Sequence, residues 1–140
     1  MATAKAARRP PNKRAAPGKA AGGRYCIKRV YDPPAEDDGL RVLVDRLWPR
    51  GLTKEKARID LWLKEVAPSD ELRRRFHGNP AQWDEFVAAY VRELAQEPAR
   101  AAAEMLRERI RGEPITLLYA ARDEAHNNAV ALKRWLERKR

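Results

Sequence analysis

The residues best suited to chemistry stand in two short polar stretches, each following an apolar run. "DRLWPRGLTKE" (45–55) supplies Arg46, Arg50 and Lys54 as cations, Trp48 as an apolar wall, and Gly51 where backbone can approach a ligand closely. "ARDEAHNN" (121–128) supplies Asp123, His126, Asn127 and Asn128 around the expected amino end of a helix, whose free N–H groups attract anions. Guanidinium groups grip carboxylates and phosphates through parallel hydrogen bonds. Imidazole exchanges protons near neutral pH. Together these residue types point to a site for a small anion, whether phosphate, carboxylate or oxyanion. Arg46, Trp48, Arg50, Gly51, Lys54, Asn127 and Asn128 would bind it, with His126 and Asp123 as the candidate catalytic pair.

Each residue also has a purely structural reading. Arg46 can pair with Asp45 or Asp123, and Asp45 can tie down the turn backbone. Trp48 is the kind of residue that fills cores. Asp123 reads first as the cap of the last helix. His77, in "FHGNP", reads as a charge complementing a helix C-terminus. Two functions therefore stand side by side. One is an enzyme without a thiol, in which His126 moves a proton on an anion held by Arg46 and Arg50. The other is a non-catalytic binding or regulatory module.

Other chemistries fit poorly. "DEAH" (123–126) matches a helicase box, but a nucleotide-driven motor needs a phosphate loop of the form G-x-x-x-x-G-K-[ST]. The nearest stretch, "PGKA" at Gly18-Lys19, has no hydroxyl residue for magnesium and follows no strand. His77 and His126 lack metal-ligand spacing, so no metal site and no cofactor are expected. Ser69 is the only serine and reads as a helix cap. Cys26, the single cysteine, falls within an apolar strand pattern, where a small buried hydrophobe is the default.

The two polar stretches need elements to hold them. "RYCIKRVYD" (24–32), "LRVLVDRLW" (40–48) and "PITLLYA" (114–120) read as strands, the latter two apolar on both faces and so central. Thr53 caps a turn running towards "IDLWLKEV", which reads as helical. Ser69 and Asn79 are caps, and Trp83, Phe86, Val87, Tyr90 and Leu94 make one helical stripe. Pro98 restarts a helix that Gly112 ends, and Ala129, Leu132 and Leu136 face inward on the last one. The long, helix-rich stretch between the second and third strands suits a parallel crossover. The short link between the first and second suits antiparallel pairing or a tight exception. The expectation is a single α/β domain with a small, mostly parallel sheet of three or four strands covered by helices. A helix-rich α+β fold is the alternative. If the two central strands are parallel neighbours, both polar turns emerge at one carboxyl edge, where open α/β sheets bind ligands.

Charge is unevenly spread along the 140 residues. Lys and Arg number 30 and Asp and Glu 20, but residues 1–23 hold six bases and no acid, leaving 24 against 20 in residues 24–140. The tail, rich in Ala, Pro and Gly, is expected to be disordered, with weak nonspecific nucleic-acid contacts as its possible role. One cysteine and the absence of any long apolar run fit a cytoplasmic protein that does not enter membranes. Trp62, Trp83 and Trp135 would suffice for a hydrophobic interface between two chains, although burial in one core is the simpler use.

"RVLVDRLWPRG", "WLKEVAPSDELRRRF" and "ITLLYAARDEAHNNAVALKRWL" resemble the DUF488 family of small bacterial proteins, particularly its YeaO-like branch. The resemblance covers residues 26–138 and implies a compact α/β domain without an assigned activity. It also implies that the position where the broader family carries a cysteine after the last strand is Tyr119 here, so thiolate chemistry is not expected.

Overall fold

The computed structural model describes residues 23–76 and 79–138. The expected disordered tail, except Gly23, and the helix-end role of His77 lie outside the described residues. Four strands, β1 (Tyr25–Arg29), β2 (Leu40–Leu43), β3 (Leu61–Trp62) and β4 (Ile115–Tyr119), form one sheet in the order β1-β4-β2-β3. All are parallel. Five helices accompany them: α1 (Lys54–Ala57), α2 (Asp70–Phe76), α3 (Trp83–Leu94), α4 (Ala99–Arg109) and α5 (Asn128–Arg138). The α/β expectation therefore holds over the α+β alternative.

The first two strands do not pair with each other. Both flank β4, with Tyr25 and Leu40 each opposite Ile115. Every residue of β4 is buried, as a run apolar on both faces requires, and its two ladder edges are both filled. The connector over residues 30–39 returns to the start of β2 and is pinned by Asp38. Asp38 accepts from Lys28 Nζ (3.0 Å) and Arg41 Nη1 (2.5 Å), and its carbonyl accepts from the Thr116 hydroxyl (2.7 Å). Asp38 and Arg41 are both buried, so this ionic group is paired and hydrogen-bonded as burial demands.

Within "IDLWLKEV" (59–66), Leu61–Trp62 forms a strand and only Lys64–Val66 a short 3-10 helix. Asp60 N–H donates to the Arg41 carbonyl (2.9 Å), Leu63 N–H to the Leu43 carbonyl (2.9 Å), and Arg41 N–H to Asp60 Oδ2 (2.9 Å). The free edge of β2 captures the segment as β3, because ladder bonds to an existing strand outweigh a weak local helical pattern.

Long helices cover only one face. There Tyr25, Val42, Val44, Ile115, Leu117 and Tyr119 meet Leu72, Phe76, Tyr90, Leu94, Leu106, Leu132 and Leu136. Leu43, Leu118 and Val30 on the other face pack with Ala57 and Ile59, flanked by Trp48, Leu52 and Trp62. Trp83 and Trp135 pack against the first cluster, which gives the tryptophans core contacts within one chain. Cys26 in β1 is half-buried rather than fully enclosed.

The expected caps on Thr53, Ser69 and Asn79 are all present, each side-chain oxygen accepting a backbone N–H. At Ser69 the cap is braced by Glu93, which accepts from both its N–H (2.9 Å) and its hydroxyl (2.6 Å). Gly112 does end the α4 region, with its N–H on the Arg109 carbonyl (3.1 Å). Among the described residues the glycines with positive φ are Gly39 (φ 68°) and Gly51 (φ 81°).

Candidate functional site

Because β2 and β4 are parallel neighbours in register, Leu43 opposite Leu118, the turns that follow them emerge together at the carboxyl edge. Val44 N–H still donates to the Leu118 carbonyl (3.1 Å) before the strands part. Asp45 then bridges the gap. Its Oδ2 accepts from Ala120 N–H (2.9 Å) and its Oδ1 from the Asn128 amide (3.1 Å), while that amide also donates to the Val44 carbonyl (2.9 Å). Burial pushes the Asp45 carboxyl above the usual aspartate range, against the pull of the Ala120 N–H and the Asn128 amide. Its bland reading as a turn brace is what the structure displays.

The start of α5 departs from expectation. Asp123 does not cap the helix. Its Oδ1 closes a tight turn by accepting from Ala125 N–H (2.9 Å) and His126 N–H (3.0 Å). The cap is Asn127, whose Oδ1 accepts from Val130 N–H (2.9 Å) and whose amide donates to the Asp123 carbonyl (2.9 Å). Asn is a strong N-cap residue. Asp123 Oδ2 lies 3.1 Å from His126 Nδ1. The Ala125 N–H, with further help from His126, holds the Asp123 carboxyl below the usual range.

Between these turns, the carboxyl half of α2 and the amino end of α3 lies a cleft of about 580 Å³. Of the residues singled out from sequence, Arg46, Trp48, Arg50, His126, Asn127 and Asn128 line it. Gly51, Lys54 and Asp123 do not. Gly51 serves the left-handed turn behind the wall, Lys54 opens α1 at the surface, and Asp123 stands behind His126. Trp48 has both roles considered for it, since it packs in the second cluster and also lines the cleft.

Arg46 pairs with neither Asp45 nor Asp123. It donates to the carbonyls of Pro68 (3.2 Å) and Ala67 (3.3 Å) and stands 3.9 Å from Asp70, because the segment leading into α2 passes beside it. Arg73, also in the cleft, forms a closer pair with the same Asp70 at 3.0 Å. Sequence reasoning missed Arg73, Phe76, Trp83 and Phe86 as lining residues. The two α3 aromatics belong to a stripe read wholly as core, and nothing in its period marks where core ends. Trp83 stacks on Phe86 (5.6 Å, 22°) and meets the His126 ring in a T-shaped contact (5.2 Å, 77°).

Fold and site together define a small parallel α/β protein with an arginine- and aromatic-lined cleft at the carboxyl edge of its sheet. The chain belongs to the DUF488 family and is YeaO-like: residues 24–140 match the family model described as the inactive DUF488-N3 subclade. It is 45% identical over 109 residues to the uncharacterized protein YeaO of Escherichia coli (strain K12), covering 78% of this chain and 93% of that protein. It is 42% identical over 113 residues to the uncharacterized protein Rv3073c of Mycobacterium tuberculosis (strain H37Rv), covering 81% and 93% respectively. No solved structure matches the chain. Tyr119, where the broader family's cysteine is expected, is 3% exposed, and burial pushes its phenol upward. Among the described residues no helix is long and apolar enough to cross a membrane.

Proposed function

We propose that the strand-end cleft binds a small anion and that the protein is a binding module without covalent chemistry. The carrying observation is convergence: Arg46, Arg50, His126, Asn127 and Asn128, drawn from two turns 75 or more positions apart, line one cavity. Concave sites with an apolar lining and a few convergent polar groups are where small ligands bind. The family description "inactive" supports the absence of turnover. The lining carries no serine, threonine or cysteine among the described residues, which supports the absence of covalent chemistry through a hydroxyl or thiol. The test is thermal-shift screening of small anions with the wild type, Arg50→Ala and His126→Ala. A compound at 100 times its Kd raises stability by about 2.7 kcal/mol, and both variants should lose that gain. If no anion shifts the wild type, the reading fails.

One observation favours a second reading, an acid–base enzyme. His126 sits in the cleft with its Nδ1 held by Asp123, the orientation that readies the other ring nitrogen for proton transfer. Turnover of a bound anion that disappears in His126→Gln, with binding kept, would replace the module by the enzyme. Nucleic-acid contact through the basic tail stays a separate proposal. Its sign would be steeply salt-dependent binding that vanishes when residues 1–23 are removed.

A further inference from the structure

We infer that the ligand of this cleft is a singly charged aromatic acid, its ring laid against Trp83 and its carboxylate on Arg50. This rests on the anion-site reading above and narrows it.

The charge count of the cleft sets the first limit. Arg46 and Arg73 share one carboxylate, Asp70, and Arg46 is further committed to two backbone carbonyls. Among the described residues the Arg50 side chain has neither a hydrogen bond nor an ion pair; only its carbonyl is used, by the Tyr31 hydroxyl (3.0 Å). Asp45 lies in the lining and opposes negative charge. What remains is close to one uncommitted guanidinium, the planar fork that fits a single carboxylate. A dianion would bring a second charge into partly desolvated space without a partner, which is unfavourable.

Backbone donors set the second limit. Phosphate sites at helix starts depend on free N–H groups. Here the N–H groups of Ala125 and His126 are taken by Asp123 and that of Val130 by Asn127. Three of the donors that sequence reasoning offered to an anion are thus already spent within the protein.

Apolar surface supplies the positive argument. Tyr90 and Leu94 of the α3 stripe are 1% and 0% exposed, whereas Trp83 and Phe86 of the same stripe are half-buried and line the cleft. The stripe thus leaves the core and continues as a wall. Leu47, 62% exposed, and Tyr31 extend apolar surface at the lining. About 580 Å³ is far more room than a phosphate or an acetate fills and lies within the range of organic-ligand pockets. The half-buried Trp83 ring, stacked on Phe86 on one side, suits a further ring in offset or edge contact.

The test uses the full chain, with binding read by tryptophan fluorescence and by melting temperature. The probes are benzoate, phenylacetate and indole-3-acetate, against acetate, inorganic phosphate and neutral indole. At least one aromatic acid should bind at least tenfold tighter than acetate, phosphate and indole. Arg50→Ala, an exposed position that should fold normally, should weaken it at least tenfold, and Trp83→Leu should erase its advantage over acetate. If phosphate or acetate binds as tightly as the aromatic acids and depends on Arg50, the anion site stands and the aromatic assignment falls. If an aromatic acid binds equally well to both variants, it binds elsewhere and the assignment also falls. If none of the anions binds, both readings fall together.

Discussion

Asn128 joins the two halves of the cleft: its amide donates at once to Asp45 Oδ1 (3.1 Å) and to the Val44 carbonyl (2.9 Å), 83 and 84 positions away. The first residue of α5 thereby ties the start of that helix to the end of β2, whose Asp45 also holds the Ala120 N–H beyond β4 (2.9 Å). Two bonds from one amide make this tie, so its removal should be felt at the site before it is felt in the core.

Asn128→Ala should lower stability by about 1–2 kcal/mol and shift the Asp45 titration further upward, since the amide is one of the groups holding it down. The sign follows from burial: folding favours protonated Asp45, so its contribution is full below the unfolded aspartate pKa and is lost as pH rises through the raised folded value. Carboxyl carbon shifts in NMR would follow this, and a downward move in the variant would contradict it.

Asp123 titrates the other way. Its carboxyl is held low by the Ala125 N–H and by His126, so the stability it contributes is present above the ordinary aspartate pKa and lost as pH falls through the lowered folded value. Asp123→Ala should therefore flatten the acid limb of the unfolding profile between those two values. An unchanged acid limb would show that the turn contributes nothing.

The Asp38 group should be the most sensitive polar cluster. Asp38→Ala leaves Arg41, 3% exposed, and Lys28 without their carboxylate and should cost about 3–5 kcal/mol in urea unfolding. Replacing Arg41 and Asp38 together by apolar residues should cost less than Asp38→Ala alone, and a larger loss in the double variant would rule out this account.

The two glycines with positive φ should respond unequally. At Gly39 an added Cβ would stand 2.2 Å from the Pro114 carbonyl oxygen, while at Gly51 it would meet nothing within 4 Å. Gly51→Ala should show only the backbone strain of about 1–2 kcal/mol. Gly39→Ala should cost clearly more, because backbone must move as well. Equal midpoints in denaturant would refute the distinction.

Sequence alone determined what is local. The two-faced apolar runs at 40–48 and 114–120 marked central strands, and Thr53, Ser69 and Asn79 marked helix starts, because a cap is a bond between a side chain and its own next residues. Parallel placement of β2 and β4 followed from the length of chain between them, which brought the two polar turns to one edge. Partners distant in sequence were decided by tertiary structure. The edge of β2 drew Leu61–Trp62 out of a helical pattern, and β4 took the place between β1 and β2 that the short connector had suggested they would share directly. Arg46 found Asp70 and two carbonyls because the segment leading into α2 passes beside it. Trp83 and Phe86 became a cleft wall as well as core neighbours because α3 begins beside the cleft. Periodicity tells which side of an element is apolar, but only the packed neighbours decide how much of that side they cover.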